Sequence, residues 1–184
     1  MRTLITFSIL AGLTIAVYFY FHKITPMIGR DVDARFIERL DTIPSSAEVI
    51  SEASLGKWIA SHPMEANGYL SPVIFPLDFF FMFTLSGALA LLCIACADSL
   101  PFLRNIHFLV WAALPVLYLV ADLCEDSQMV WILSLPERLN STSYSVLRAF
   151  TAIKLITVKA SFVEAGVLVV LAAGYRLFGF VRTL

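Results

Sequence analysis

Long apolar runs separated by short polar stretches dominate the chain. Four of these runs, residues 4–21, 73–97, 106–133 and 146–180, are long enough to cross the hydrocarbon of a bilayer as helices, because a crossing takes about 20 helical residues. We therefore predict an all-α integral membrane protein in which four transmembrane helices form a bundle.

The polar stretch between the first two apolar runs also has helical periodicity. In "RDVDARFIERLDTI" the apolar positions share one stripe of a helix, and these are Val32, Phe36, Ile37 and Leu40. In "SSAEVISEASLGKWIASHP" the residues Ser45 and Glu48 have the spacing of a capping box, and Pro63 marks the end. We predict an outer amphipathic helical segment over residues 30–62, lying on the membrane surface or over the outer mouth of the bundle.

Composition supports the membrane assignment and limits the partners. Of the 184 residues, 59% are hydrophobic and 15% are charged, whereas a soluble domain carries about 25% charged residues. The net charge of −1 and the absence of a dense basic patch exclude a nucleic-acid partner. The length fits one membrane domain over residues 1–184, and the expected partners are membrane lipid and either another membrane protein or a second copy of the chain.

Basic residues in the short flanks predict the orientation. Arg2, Arg104, Arg176 and Arg182 flank the apolar runs on one side, and such residues concentrate on the cytoplasmic side of membrane proteins. Both termini are therefore expected in the cytoplasm. The first run ends in "YFYFHK" without a small-residue cleavage site, which favours an uncleaved anchor over a signal peptide.

Three acids interrupt the third apolar run. Glu125 and Asp126 lie three and four residues after Asp122. Both therefore lie on the same side of a helix as Asp122. Ionised groups inside a membrane face the protein interior, a partner or water. We expect at least one of these acids to be protonated, paired or hydrated.

The neighbouring runs offer partners at the same depth. Lys154 lies about ten residues into the fourth run, with Thr151 one turn before it, and Asp78 lies near the start of the second run. Because consecutive spans alternate in direction, these positions fall in one layer of the outer half of the membrane. We predict a polar cluster of Asp78, Asp122, Glu125, Asp126, Thr151 and Lys154.

Each member also has a structural interpretation. Pro76 and Asp78 in "FPLDF" suit the first turn of a helix, where an acid stabilises the positive end of the helix dipole. Glu125 and Asp126 can mark the point at which the third span leaves the membrane. Asp122 and Lys154 can form an interhelical ion pair that fixes register without any chemistry.

Weaker candidates complete the set. Lys159 and Glu164 are five residues apart and do not share a helix face, so they are secondary polar contacts. Cys93 and Cys96 have redox-motif spacing, but the outer-loop cysteine pair that relays oxidation in quinone-linked thiol oxidases is absent.

Metal and cofactor binding are not expected from the sequence. The histidines are scattered without zinc-site spacing, and they are His22, His62 and His107. Carboxylates alone could hold Mg²⁺ or Ca²⁺, but the ammonium of Lys154 would compete for their oxygens.

The motifs "FPLDFFFMF", "VADLCED" and "TAIKLITVK" resemble those of a family of small uncharacterised bacterial membrane proteins. Its pattern is F-P-x-D, then D-x-x-E-N, then K-W. Asp78, Asp122, Glu125 and Lys154 match this pattern, whereas Asp126 stands in place of an amide and Leu155 in place of tryptophan. The resemblance implies four spans, a place in the bacterial cytoplasmic membrane and the charged cluster, and it implies no activity.

Three functions stay open on these grounds. The first is a non-enzymatic protein that binds lipid or a membrane partner, with the polar cluster as structural glue. The second is a proton- or ion-coupled transporter, or a membrane enzyme acting on lipid, that uses the cluster chemically. The third is a thiol oxidoreductase that would use Cys93 and Cys96 as its redox pair. An enzyme is the less expected outcome, and no catalytic residue is assigned.

Overall fold

The computed structural model describes residues 2–28 and 51–181, which are helical apart from short connections and contain no strand. The helices are α1 (Arg2–Ile28), α2 (Glu52–Ser61), α3 (Pro63–Gly68), α4 (Phe79–Asp98), α5 (Phe108–Ser134) and α6 (Ser141–Val181). The predicted all-α class is confirmed for this part of the chain. The proposed amphipathic stripe from Val32 to Leu40 and the Ser45–Glu48 capping pair lie outside the described residues.

Three helical stretches are long and apolar enough to cross a membrane, namely Pro63–Asp98, Phe108–Ser134 and Ser141–Leu177. Their length and composition are those of an integral membrane protein. Within α1 the apolar stretch Ile5–Tyr20 is shorter than these three. The fourth span, and the four-helix bundle that it would complete, stay predictions.

An irregular helical stretch, the proline segment (Tyr69–Asp78), leads into α4. Ser71 and Phe75 leave the helical region, with φ of −147° and −125°, directly before Pro72 and Pro76. The ring of a proline clashes with a helical conformation of the preceding residue, which explains both breaks. The regular helix therefore starts at Phe79, and Asp78 lies at the junction.

The long helices pack closely through small and polar residues. α5 packs against α6, α4 contacts both, and α1 lies against α4 and the proline segment. The Ser86 hydroxyl of α4 donates to the Pro115 carbonyl of α5 at 2.8 Å. A Cβ at Gly87 would lie 3.2 Å from Leu10 Cδ1, so glycine permits the close approach of α1 and α4.

Two apolar cores lie at opposite ends of these helices. α2 begins with a reciprocal cap between Ser51 and Ser54 and ends at Ser61, with His62 as its C-terminal cap, before Pro63 as predicted. Its apolar face packs on the last turns of α5 and the first turns of α6. We call this the cap core, formed by Leu55, Trp58, Ile59, Ala66, Tyr69, Val73, Ile74, Met129, Ile132, Leu133 and Leu147.

The second core, the cysteine core, joins the later part of α4 to the later part of α6. It consists of the buried residues Leu89, Cys93, Ala165 and Leu168. Trp111, near the start of α5, packs against it. The middle turns of α5 and α6 run between the two cores, and the predicted polar cluster lies on those turns.

Candidate functional site: a buried carboxylate–lysine cluster

Lys154 on α6 forms ion pairs with two acids on α5. Its Nζ lies 2.6 Å from Asp122 Oδ1 and 2.8 Å from Glu125 Oε2. Since Asp122 and Glu125 are three residues apart in a helix, one ammonium can reach both. Asp122 is 0% exposed, Glu125 is 1% exposed and Lys154 is 9% exposed, so the contact is withdrawn from solvent.

Thr151 completes the binding of Glu125. Its hydroxyl, one turn before Lys154, donates to Glu125 Oε1 and also contacts the Leu147 carbonyl of its own helix at 3.0 Å. The two oxygens of Glu125 are therefore bound by different residues of α6. This arrangement fixes the register between the two helices.

Asp78 and Asp126 approach Asp122 to form a group of three aspartates. One carboxylate oxygen from each of Asp78, Asp122 and Asp126 lies within 4.8 Å of the other two. We call this group the aspartate triad. Asp122 belongs both to the triad and to the ion pairs of Lys154, so it links the two halves of the cluster.

The position of Asp78 tests the interpretation that this residue caps the start of a helix. Its side chain makes no capping hydrogen bond to the first turn of α4, although the residue lies directly before that helix. It has other interactions within the described structure, and it lies beside Asp122 and Asp126. The proline segment thus places Asp78 in the cluster, where its side chain does not cap α4.

Asp126 is the acid with the least compensation. The residue is 6% exposed, and its Oδ2 is closed to solvent and accepts no hydrogen bond from any residue of 2–28 or 51–181. Buried polar atoms in proteins almost always have a partner. This carboxylate therefore has capacity to bind something more.

Aromatic and apolar side chains separate the cluster from solvent. Tyr118, one turn before Asp122, is 2% exposed, and Tyr69 of the proline segment is 3% exposed. Tyr69 interacts electrostatically with Asp78, Asp126 and Lys154. Two residues of the cap core lie next to the cluster along the chain. Met129 follows Asp126 by about one turn of α5, and Leu147 precedes Thr151 by about one turn of α6.

The acids of the cluster outnumber its lysine. Lys154 pairs with two carboxylates, those of Asp122 and Glu125, which already exceed its single charge. Ionised Asp126 would add a further negative charge in a place of low dielectric, where charge interactions are far stronger than in water. Protonation or binding of a cation would relieve this excess.

All six residues of the predicted cluster lie together, on α5, α6 and the end of the proline segment. The sequence interpretation missed Tyr69 and the cap core above the cluster. Tyr69 lies in an irregular stretch without helical periodicity, so no pattern in the sequence places it beside the acids. The apolar residues of α2 were visible as a stripe, but their docking site on α5 and α6 was not.

The secondary polar candidates lie apart from the cluster. Lys159 is exposed on α6. Glu164 is half-buried near the cysteine core, where it interacts electrostatically with Cys93. These two residues are therefore separate features of α6.

The cysteines and described histidines add no further site. Cys93, Cys96 and Cys124 are free thiols, and Cys93 is fully buried in the cysteine core. The His62 ring stacks on Trp58 with 5.5 Å between the ring centroids, and His107 caps the start of α5. Among the described residues, the aspartate triad is the group that could hold a metal ion.

Comparisons with family models, with curated proteins and with solved structures find no match to this chain. The resemblance to the small bacterial membrane family therefore stays a prediction, and the chemistry of the site rests on its own geometry.

Proposed function

We propose that the chain is a four-span, proton- or ion-coupled membrane protein whose carboxylate–lysine cluster takes up and releases positive charge within the membrane. The observation that carries this proposal is the excess of buried acid around Lys154. Two acids, Asp122 and Glu125, are enough to neutralise and orient the ammonium. Asp126 adds a third buried carboxyl, whose Oδ2 accepts no hydrogen bond from any residue of 2–28 or 51–181.

The chemical consequence follows from the surroundings. A carboxylate in a low-dielectric interior is stabilised by gaining a proton or by approaching a cation. A change in the occupancy of this group changes the repulsion inside the cluster. Since the cluster touches α5, α6 and the proline segment, that change acts on the packing of three elements at once.

The burial of these acids favours proton or ion coupling over an enzymatic reaction on lipid. The acids lie between Tyr118 and the cap core, and Asp122 and Glu125 are 0% and 1% exposed. A lipid ester would need an open face to reach these carboxylates, whereas a proton or a small ion needs only a narrow path. We therefore place ion or proton coupling ahead of a lipid-acting enzyme.

An infrared titration of the full-length protein in zwitterionic lipid tests the proposal. We expect at least one carboxyl of the cluster to change its protonation between about pH 5 and pH 9, seen as a carbonyl band that disappears as pH rises. Asp126→Asn should alter this band. Glu137→Gln, which removes an exposed carboxyl outside the cluster, is the matched control and should leave the band unchanged.

A protein that shows no carboxyl band over this range would contradict the proposal. A band that Glu137→Gln removes and Asp126→Asn leaves intact would contradict it as well. Both results would return the cluster to a structural role.

The ion pairs of Lys154 favour a second candidate, in which the cluster is structural glue in a protein that binds lipid or a membrane partner. Replacing a buried ion-pair network as a whole is often neutral for stability. The triple variant Lys154→Met, Asp122→Asn, Glu125→Gln should then keep the native stability and the native size in gel filtration. For this candidate the wild-type protein would also lack the titrating carboxyl.

A further inference from the structure

The aspartate triad has the dimensions of a cation site. One oxygen each from Asp78, Asp122 and Asp126 lies within 4.8 Å of the other two. Ca²⁺ binds oxygens at about 2.3–2.6 Å and Mg²⁺ at about 2.0–2.1 Å. Oxygens that bind one such ion are therefore about 3–5 Å apart, which agrees with the spacing in the triad.

Asp126 provides an independent reason to expect a ligand there. Its Oδ2 is buried and accepts no hydrogen bond within residues 2–28 and 51–181, while the residue as a whole is 6% exposed. A buried carboxylate oxygen without a donor is destabilising. A cation within reach of the triad would satisfy it.

The position of Lys154 answers the objection that its ammonium would displace a metal. Lys154 contacts Asp122 and Glu125, and Glu125 is not part of the triad. Asp122 belongs to both groups. The ammonium therefore has a partner, Glu125, that the cation does not need.

The ligand chemistry of the triad indicates the class of ion. The triad contains oxygen ligands and neither sulfur nor imidazole. Such a donor set suits hard divalent cations of the Mg²⁺, Ca²⁺ and Mn²⁺ type and not Zn²⁺ or copper.

From these observations we infer that Asp78, Asp122 and Asp126 form a binding site for one hard divalent cation, adjacent to the ion pairs of Lys154. The inference deepens the proposed function and rests on it, because it names the ion that the cluster takes up. Asp122, which also pairs with Lys154, couples occupancy of the cation site to that lysine and hence to α6.

Electron paramagnetic resonance with Mn²⁺ alone as the probe tests the site directly. The full-length protein, stripped of metal and held in zwitterionic nanodiscs, should bind one Mn²⁺ per chain in a saturable manner, and Ca²⁺ or Mg²⁺ should displace it. Asp126→Asn should weaken this binding by at least about tenfold, since even loss of a residue that only supports a ligand weakens metal affinity by about 10–100-fold. Asp78→Asn should have an effect of similar size.

Glu125→Gln is the matched control. It removes the same charge from the adjacent residue and disturbs a Lys154 contact, but it leaves the triad intact. Binding should therefore weaken much less than in Asp126→Asn. Circular dichroism and gel filtration verify that each variant is folded, and the two triad variants together keep the test decisive if one of them unfolds.

The inference is overturned if the wild-type protein shows no saturable Mn²⁺ binding, or if Glu125→Gln weakens it as much as Asp126→Asn does. The second result would mean that only the total charge attracts Mn²⁺. Failure here is distinct from failure of the proposed function, which the carboxyl titration tests on metal-free protein. A titrating cluster that binds no Mn²⁺ would remove the metal site and retain proton coupling.

Discussion

The cap core and the cysteine core are built from the same long helices, yet only one of them adjoins buried charge. Below the cap core, four acids and a lysine meet between α5, α6 and the proline segment. In the cysteine core the helices meet through Leu89, Cys93, Ala165 and Leu168, and the acid nearby, Glu164, is half-buried. The cysteine core is thus stabilised by the packing of apolar side chains, whereas the cluster is stabilised by the compensation of buried charges.

The difference shows what a polar centre among apolar helices needs. At the cluster, the two oxygens of Glu125 are bound by Lys154 and Thr151, and Asp122 is held by the same lysine. The cap core closes this group off from solvent, which strengthens each of the contacts. The cysteine core has no comparable network among the described residues, so its side chains can be exchanged for others of similar volume.

The largest expected effect comes from removing the one cation of the cluster. Lys154→Met leaves Asp122 and Glu125 buried without their counter-charge, and breaking a buried pair from one side destabilises a protein by about 3–5 kcal/mol. Unfolding by denaturant in detergent micelles measures this loss. Lys159→Met, which changes an exposed lysine on the same helix, should lower stability by about 0.5 kcal/mol or less.

Equal losses from Lys154→Met and Lys159→Met would contradict the contrast between the two regions. They would mean that the ion pairs add nothing beyond the general effect of a lysine on α6.

A smaller effect is expected from the hydroxyl that binds Glu125. Thr151→Val keeps the shape of the side chain and removes the hydrogen bond to the carboxylate, so we expect a loss of about 1–2 kcal/mol. Thr157→Val is the matched control, because within the described structure the Thr157 hydroxyl bonds to the Ile153 and Lys154 carbonyls of its own helix and to no carboxylate. Its loss should be about 0.5 kcal/mol or less, as measured by the same unfolding assay.

If Thr157→Val proves as destabilising as Thr151→Val, the hydrogen bond from Thr151 to Glu125 adds no stability beyond that of a hydroxyl bonded within its own helix. The register between α5 and α6 would then depend on apolar packing alone.

The smallest effect should come from the cysteine core. Replacing Cys93 and Cys96 together by alanine should lower stability by about 1 kcal/mol and leave the carboxyl titration of the cluster unchanged. The loss reflects the smaller volume at the fully buried Cys93. Cys124→Ala, at a half-buried position of α5 outside this core, serves as the control.

Loss of the carboxyl titration in the double alanine variant, with the fold retained, would contradict the separation of the two regions. It would revive the thiol hypothesis for Cys93 and Cys96.

Several features of the site were readable from local spacing. Asp122, Glu125 and Asp126 had to share a helix face because of the helical repeat, and Thr151 had to precede Lys154 by one turn. Alternation of the spans predicted that Lys154 and Asp78 lie at one depth, and in the structure both lie near Asp122. The sequence suggested a helix-start role for Asp78, and it did not reveal that this residue would make no capping hydrogen bond, because Pro72 and Pro76 redirect the backbone before α4 begins.

The sequence by itself determined the helical class and the long apolar segments, since a chain in lipid must satisfy its backbone hydrogen bonds within each segment. It also determined which polar residues share a face. Only the tertiary structure decided that Lys154 pairs with Asp122 and Glu125 and that Asp78 joins Asp122 and Asp126 in the aspartate triad. That choice depends on the register of α5 against α6 and on the path of the proline segment, which are set by packing between distant residues and not by any local pattern.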